Sequence, residues 1–219
     1  ALRRLEYRGY DSAGIATVHG GVLKRRRAEG KLKNLDKVLV SSPLAGRIGI
    51  GHTRWATHGA PSVTNAHPQR SSHVAVVHNG IIENFQTLCV NLKAKGCVFE
   101  SETDTEVIAH LLADFAGQGH DQRTSVALTL NELHGAFALA IMFDGNEDVL
   151  YAARRGCPLV IGYGDGENYI GSDALALAGL TNKITYLEEG DWAEITRSVV
   201  HIFDENNNEV IREITTTQA

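Results

Sequence analysis

The chain has 219 residues, 43% hydrophobic and 21% charged, with a net charge of −5, which leaves room for one large domain or two small ones and argues against a general nucleic-acid binder, since that class carries a basic excess. Three cysteines, Cys89, Cys97 and Cys157, have no CxxC spacing; they read as buried structural thiols in a reducing compartment, not a disulfide frame or a zinc site. The longest apolar run, 136–143, is too short to cross a bilayer and the charged opening residues form no signal pattern, so a cytoplasmic protein without membrane partners is expected.

Residues 1–5 place Ala1, Leu2 and Leu5 at helical spacing and read as the last turn of a helix, with no cap before it. Residues 7–14 (YRGYDSAG) are a turn-rich loop into a strand over 15–19, and Gly20-Gly21 makes a hairpin into a strand over 22–27. The basic run Lys24, Arg25, Arg26 and Arg27 reads as a solvated strand face, because no aromatic residue interleaves with it. Leu32, Leu35 and Leu39 predict a helix over 31–40, ended by Ser-Ser-Pro. A glycine-rich strand ending at Gly51 then delivers 52–59 (HTRWATHG), a run too polar for a core strand and read as a cationic loop.

Residues 60–72 hold two of the four prolines and read as a loop. Residues 74–77 are wholly apolar, as in a strand buried on both faces, and end on His78-Asn79-Gly80. Asn84 is a candidate N-cap for a helix through Lys95, stopped by Gly96. A strand follows over 98–100, then a helix over 105–115 with the stripe Val107, Ile108, Leu111, Leu112 and Phe115, and another over 124–133. Strands then recur over 136–143, 149–153, 159–163, 168–171, 183–187, 192–197, 199–203 and 209–214, with one short helix over 173–177. The pattern implies an α+β class with antiparallel sheets in a single domain over 1–214. Residues 215–219 read as a frayed tail or the start of a linker.

Three stretches carry candidate chemistry. Arg54 can grip a carboxylate bidentately, with Thr53, Thr57 and His58 as further donors, or it pairs a structural acid. Asn79 and Gly80, at the end of the most buried strand, can converge an amide and an N–H on one oxygen as an oxyanion hole, or they form a plain Asn-Gly turn, though a helix follows where a hairpin strand should. Asp104 either caps the following helix or holds an ammonium. Five histidines fall between His52 and His78, but no HExxH or i,i+4 pair exists, so they read as core imidazoles and no metal is expected. A carboxylate grip, an ammonium grip and an oxyanion hole describe an amino acid attacked at its side-chain carbonyl, and glutamine fits. The nucleophile is missing from the set.

The stretches YRGYDSAG at 7–14, HTRWATHG at 52–59, HNGIIEN at 78–84 and SETDTE at 101–106 resemble the glutaminase half of the glucosamine-6-phosphate synthases, the isomerizing glutamine–fructose-6-phosphate aminotransferases. These contain a class II (type 2) glutamine amidotransferase domain. The resemblance implies an N-terminal-nucleophile hydrolase fold, two antiparallel sheets between helix layers. It implies that Arg54, Thr57 and His58 bind the glutamine carboxylate and Asp104 its ammonium. Asn79 and Gly80 would form the oxyanion hole, Trp55 would gate an ammonia tunnel, and Arg8 and Gly9 would lie near the nucleophile. It further implies ammonia release for amino-sugar synthesis, no cofactor, a sugar-phosphate isomerase domain as partner after the linker, and a homodimer at full length. In that family the nucleophile is an N-terminal cysteine whose α-amine serves as base. This sequence opens on Ala1. The expectation is therefore an inactive chain lacking its first strand and most of its first helix, about twenty residues on ordinary element lengths, with an open groove beside residues 15–19. The alternatives are a non-catalytic glutamine- or glutamate-binding module, the glutaminase domain of another class II amidotransferase, or a small metallohydrolase built on the histidines.

Overall fold

The computed structural model describes residues 1–217. A 3₁₀ helix, Leu2–Arg8, opens the chain. The strands Ser12–His19 (β1) and Val22–Glu29 (β2) follow, then the helix Leu32–Ser41 (α1) and the strands Ile48–Arg54 (β3), Gln69–Ser71 (β4) and Val74–Ile82 (β5). Three helices come next, Phe85–Ala94 (α2), Glu106–Gly117 (α3) and Gln122–Glu132 (α4). The remainder is Gly135–Phe143 (β6), Leu150–Arg155 (β7), Val160–Tyr163 (β8), Asn168–Gly171 (β9), Ala174–Leu177 (α5), Lys183–Tyr186 (β10), Trp192–Ile195 (β11), Val200–Phe203 (β12), Glu209–Val210 (β13) and Thr215–Thr216 (β14).

The unbroken apolar run of β5 explains the layering. Successive strand residues point to opposite faces, yet Val74, Ala75, Val76 and Val77 are all buried, so both faces must be covered. Val74 and Val76 join Leu139, Ile141 and Phe143 of β6 against Leu88, Leu92, Ile108, Leu112 and Val126 of the helix layer α2–α4. Ala75 and Val77, with Ala140 and Met142, point the other way onto Ala16, Val18 and Ile50 of β1 and β3. Further along, Ala138, Ala152 and Ala193 meet Leu159 and Ile161. Small residues on this inner face let the two layers of sheet approach closely. Outside them, α1 covers β1 and β2 through Leu32 and Leu35, and α5 covers β8 and β10 through Leu177. The order is helix, sheet, sheet, helix, all strand ladders antiparallel.

The first sheet layer has seven strands, β13-β12-β11-β7-β6-β5-β4. The second is not one sheet but two, β2-β1-β3 and β14-β10-β8-β9. Each of these ends on an edge strand, β3 in one and β9 in the other, and both edges line the same groove. The predicted groove is present, but one strand over. β1 is paired on both sides, by β2 and β3, so the open edge is that of β3, although Ile15 reaches the groove.

Several local expectations are corrected. The opening segment is a 3₁₀ helix with no buried residue, not a closing α-turn. β4 lies inside the predicted loop 60–72, and residues 98–100 join no ladder. Only Glu209–Val210 of the predicted last strand is paired. Thr215 pairs with Ile184 and Thr216 with Lys183 instead of fraying; residues 218–219 of the predicted linker lie outside the described residues. Asn84 precedes α2 without a capping bond, because its side chain donates to Glu132 O (2.8 Å) and accepts from His134 N (3.0 Å). The basic run is not a solvated face either. Arg25, Arg26 and Arg27 are half-buried: Arg25 and Arg27 donate to the carbonyls of Pro68 (3.2 Å) and Thr64 (2.7 Å), which pins the long loop after β3, and Arg26 donates to Ser42 O (2.9 Å) at the end of α1. Among the described residues, no helix is long and apolar enough to cross a membrane.

Candidate active site

β3 does not stop at Gly51. It runs on to Arg54, pairing His52 with Gly14, Thr53 with Ala13 and Arg54 with Ser12. The polar run tolerated there reflects an edge strand whose outer side faces a cavity of about 860 Å³. The loop proper starts at Trp55. Asp11 of the YRGYDSAG stretch explains why the two motifs belong together. Its N–H donates to Arg54 O (2.8 Å) and its Oδ2 accepts from Ala56 N (2.6 Å), so it fastens the loop as it leaves the strand. The sequence reading gave Asp11 no such role.

Arg54, Asn79, Gly80 and Asp104 all line this one cavity, with Arg8, Gly9, Trp55 and Thr57. Arg54 is 3% exposed. Its Nη2 donates to the carbonyls of His58 and, at 3.3 Å, Gly59, so the guanidinium curls its own loop around itself. Nη1 lies 3.9 Å from Asp11 Oδ1 and is a buried donor without a hydrogen bond. A buried unpaired guanidinium N–H is costly; here it borders a cavity. His58 is placed differently from the prediction. Its ring packs edge-on against Phe85 at 5.2 Å and does not line the cavity; its carbonyl is what meets Arg54. Trp55 is 69% exposed and its indole closes over Gly9, where an added Cβ would lie 2.6 Å from the ring. Arg8 reaches across to Asp173, and to Ser172 Oγ at 3.1 Å, beside the end of β9.

Asp104 does not cap α3. The cap position is Thr105, without a side-chain bond, and Asp104 Oδ2 accepts from Ile82 N of β5 (2.9 Å). The loop that carries it is held by Glu106, 1% exposed, which accepts from Glu100 N (2.8 Å), Ser101 N (2.6 Å) and Ser101 Oγ (2.6 Å). Burial pushes this carboxyl up, but those bonds and His110 outweigh it and hold it at about 2. Asn65 ties the two site loops together, donating to Glu102 Oε2 (2.9 Å) and accepting from Glu102 N (3.0 Å).

β5 continues through Asn79 and Gly80, which pair with Ala138 and Phe137. Gly80 has φ 122°, and an added Cβ would lie 2.0 Å from Ala136 O. Gly80→Ala should therefore lower stability by about 1–3 kcal/mol from backbone strain, before any clash is relieved. An unchanged unfolding midpoint in urea would show that the strand bends away freely there.

Three histidines, His52, His67 and His78, line the same cavity beside Asn79. His52 Nε2 is 2.8 Å from Asn79 Oδ1. The His52 and His67 rings sit 4.6 Å apart. Thr105 Oγ1 lies between His67 Nε2 (2.7 Å) and His78 Nδ1 (3.0 Å), so its one proton serves one ring while it accepts from the other. Burial pulls all three imidazoles below their ordinary value, His52 to about 4 and His67 well below, and they are neutral at pH 7. Among the described residues no set of three His, Cys, Asp or Glu converges as metal ligands. The cysteines are free and half-buried against the core clusters; burial pushes the thiols of Cys97 and Cys157 up, away from nucleophilic use.

Comparison with known proteins places this arrangement. The chain is 64% identical to the isomerizing glutamine–fructose-6-phosphate aminotransferase of Zymomonas mobilis over 203 residues, covering 93% of this chain and 33% of that protein. It is 58% identical to the protein of the same name from Brucella suis, covering 100% of this chain and 36% of that protein. The chain thus spans about a third of the length of these relatives. Among solved structures, the glutamine phosphoribosylpyrophosphate amidotransferase of B. subtilis superposes with a TM-score of 0.78 at 29% identity, over 95% of this chain and 46% of that one. A class II glutamine aminotransferase domain protein of Silicibacter pomeroyi shares the fold at 18% identity and a TM-score of 0.61. The fold is the α+β N-terminal-nucleophile hydrolase fold of class II amidotransferases. A family model described as a glutamine amidotransferase domain matches residues 52–179, the stretch that holds Arg54, Asn79, Gly80 and Asp104, and the chain belongs to that family.

Proposed function

We propose that this domain binds L-glutamine in the groove and hydrolyses its side-chain amide to glutamate and ammonia, the ammonia passing to fructose 6-phosphate in amino-sugar synthesis. The observation that carries the reading is Nη1 of Arg54, buried without a hydrogen bond and no closer than 3.9 Å to Asp11 Oδ1, beside the same cavity as the carboxylate of Asp104. Opposite charges at two points of one cavity suit the two ends of a free amino acid. The α-carboxylate lies on Arg54, with Thr57 beside it and the His58 backbone shaping the loop. The α-ammonium lies on Asp104. The amide oxygen then falls to Asn79 and Gly80, and Trp55 over Gly9 closes the way out for ammonia. Arg8 stands near the attacking group.

The nucleophile is a cysteine on a further strand. Two edge strands, β3 and β9, line one groove above an apolar floor that includes Val77, Ala138 and Ala140, and unpaired edges facing each other accept a strand. The isomerase domain and the homodimer belong to the longer protein.

Calorimetric titration with L-glutamate tests the binding half. Binding is expected, and Arg54→Ala should weaken it by about 10-fold to 100-fold, the worth of hydrogen bonds to a charged group. Equal affinity in the variant refutes the carboxylate site. Ammonia release by the cysteine-bearing protein tests the chemistry; tight glutamate binding with no ammonia would instead mark a non-catalytic binding module.

A further inference from the structure

The strongest unassigned feature is the contact between a β3 imidazole and the side-chain amide on the groove floor. We propose that His52 is a positioning residue that dictates which end of the Asn79 amide faces the groove. The inference rests on the oxyanion role given to Asn79 above.

A carbonyl oxygen only accepts. At 2.8 Å from Asn79 Oδ1, Nε2 of His52 must therefore carry the proton and donate it. With Oδ1 engaged, Nδ2 is the end left over. No described residue accepts from it, and Asn79 lines the groove. A proton on Nδ1 instead would leave Nε2 an acceptor, draw Nδ2 toward the ring and turn Oδ1 outward. An outward oxygen would repel the negative charge that develops on an acyl oxygen, where a donor is needed. The orientation of one amide thus depends on one imidazole tautomer.

The surroundings hold that imidazole in place. Nδ1 of His52 is enclosed and has no partner. Its ring lies against His67, 4.6 Å between centroids, and His67 is anchored on Thr105, the neighbour of Asp104. Burial keeps the ring uncharged at neutral pH, with Arg54 and His78 adding to the effect. His52 is half-buried, lines the same cavity as Asn79 and is its hydrogen-bond partner; its proposed part is to orient that amide.

The test is a mutant cycle in the full-length, cysteine-bearing enzyme, read as kcat and KM for glutamine hydrolysis. His52→Leu should lower kcat by about 10-fold or more, short of the loss of about 10²–10³ expected when the donor itself is removed, with KM changed by less than about twofold. His52→Gln should recover most of kcat, since its amide reaches as far as Nε2 and can donate to Oδ1. The double variant His52→Leu, Asn79→Ala should be no slower than Asn79→Ala alone, because His52 acts only through that amide. Should His52→Leu not fold, His52→Asn, whose amide is too short to reach, takes its place with the same expectation. A purely structural role predicts losses that multiply in the double variant and no rescue by Gln; either result overturns the inference. If Asn79→Ala itself leaves kcat unchanged, the oxyanion reading falls and this inference with it. If Asn79→Ala is slow but His52→Leu and His52→Asn are not, the inference alone fails.

Discussion

Asn79→Ala is expected to cost the cysteine-bearing enzyme about 10²–10³ in kcat with little change in KM. The size follows from when the interaction forms. A ground-state amide oxygen is a weak acceptor, whereas the oxygen of a tetrahedral intermediate carries full charge, so the Nδ2 contact strengthens as the barrier is climbed. On the proposed roles, binding of the two charged ends by Arg54 and Asp104 should be unaffected. Stability should hardly move, because Asn79 is only half-buried and its one side-chain hydrogen bond is to His52; a typical net loss is about 1 kcal/mol. Asn79→Asp should be at least as slow, since it replaces a donor with an anion at the same point. Steady-state kinetics beside urea unfolding separate these outcomes. A variant that raises KM with kcat unchanged would mean that Asn79 binds the ground state and the transition state alike.

The second large effect is acid lability. His52, His67 and His78 are held neutral by burial, with pKa values below the ordinary 6.5. In the unfolded chain they take up protons near 6.5, so below that pH the unfolded state binds more protons than the folded one. Stability must then rise with pH across this window and fall as pH drops from about 6.5 toward about 4. For His52, moved from 6.5 to about 4, the loss is on the order of 3 kcal/mol at the acid end, at about 1.4 kcal/mol per pKa unit. Glu106 adds a later stage. Its folded pKa of about 2 lies below 4.5, so its contribution is present above 4.5 and fades as pH falls from there to about 2. Unfolding midpoints measured from pH 8 to pH 3 should decline first in the histidine window. A flat profile between pH 7 and pH 5 would show that the rings are solvated, and His67→Gln should flatten it partially if they are not.

Much of the fold was readable in order. The hairpin at Gly20-Gly21, the doubly buried run at Val74, the helix through Val107 and Leu112, and the crowd of short strands after Gly135 all follow from periods of two and 3.6 and from turn residues. The misreadings share one cause. Residues 98–100 look like a strand but have no neighbour to pair with, and Thr215–Thr216 look frayed but find β10. Strand identity is conferred by a partner elsewhere in the chain. HTRWATHG misled in the same way: His52, Thr53 and Arg54 are too polar for an interior strand but suit an edge that borders a cavity. The basic run of β2 seemed solvated because nothing local announces the carbonyls of Ser42, Thr64 and Pro68 that it binds.

The site divides along the same line. Residue chemistry alone singled out Arg54, Asn79, Gly80 and Asp104 as candidates, but left a structural ion pair for Arg54, a plain turn for Asn79-Gly80 and a helix cap for Asp104 open beside the functional roles. The sequence also carried the unbroken apolar run that makes Val74 to Val77 a doubly covered strand. Only the folded chain decided that these four residues share one groove and that Asp104 bonds β5 instead of capping α3. The fold also set His58 to offer its carbonyl, with its ring turned away, and paired His52 with Asn79. Propensity and periodicity act over a turn or two of chain, whereas a cavity and a hydrogen-bond partner are made by segments tens of residues apart meeting at distances of a few ångströms.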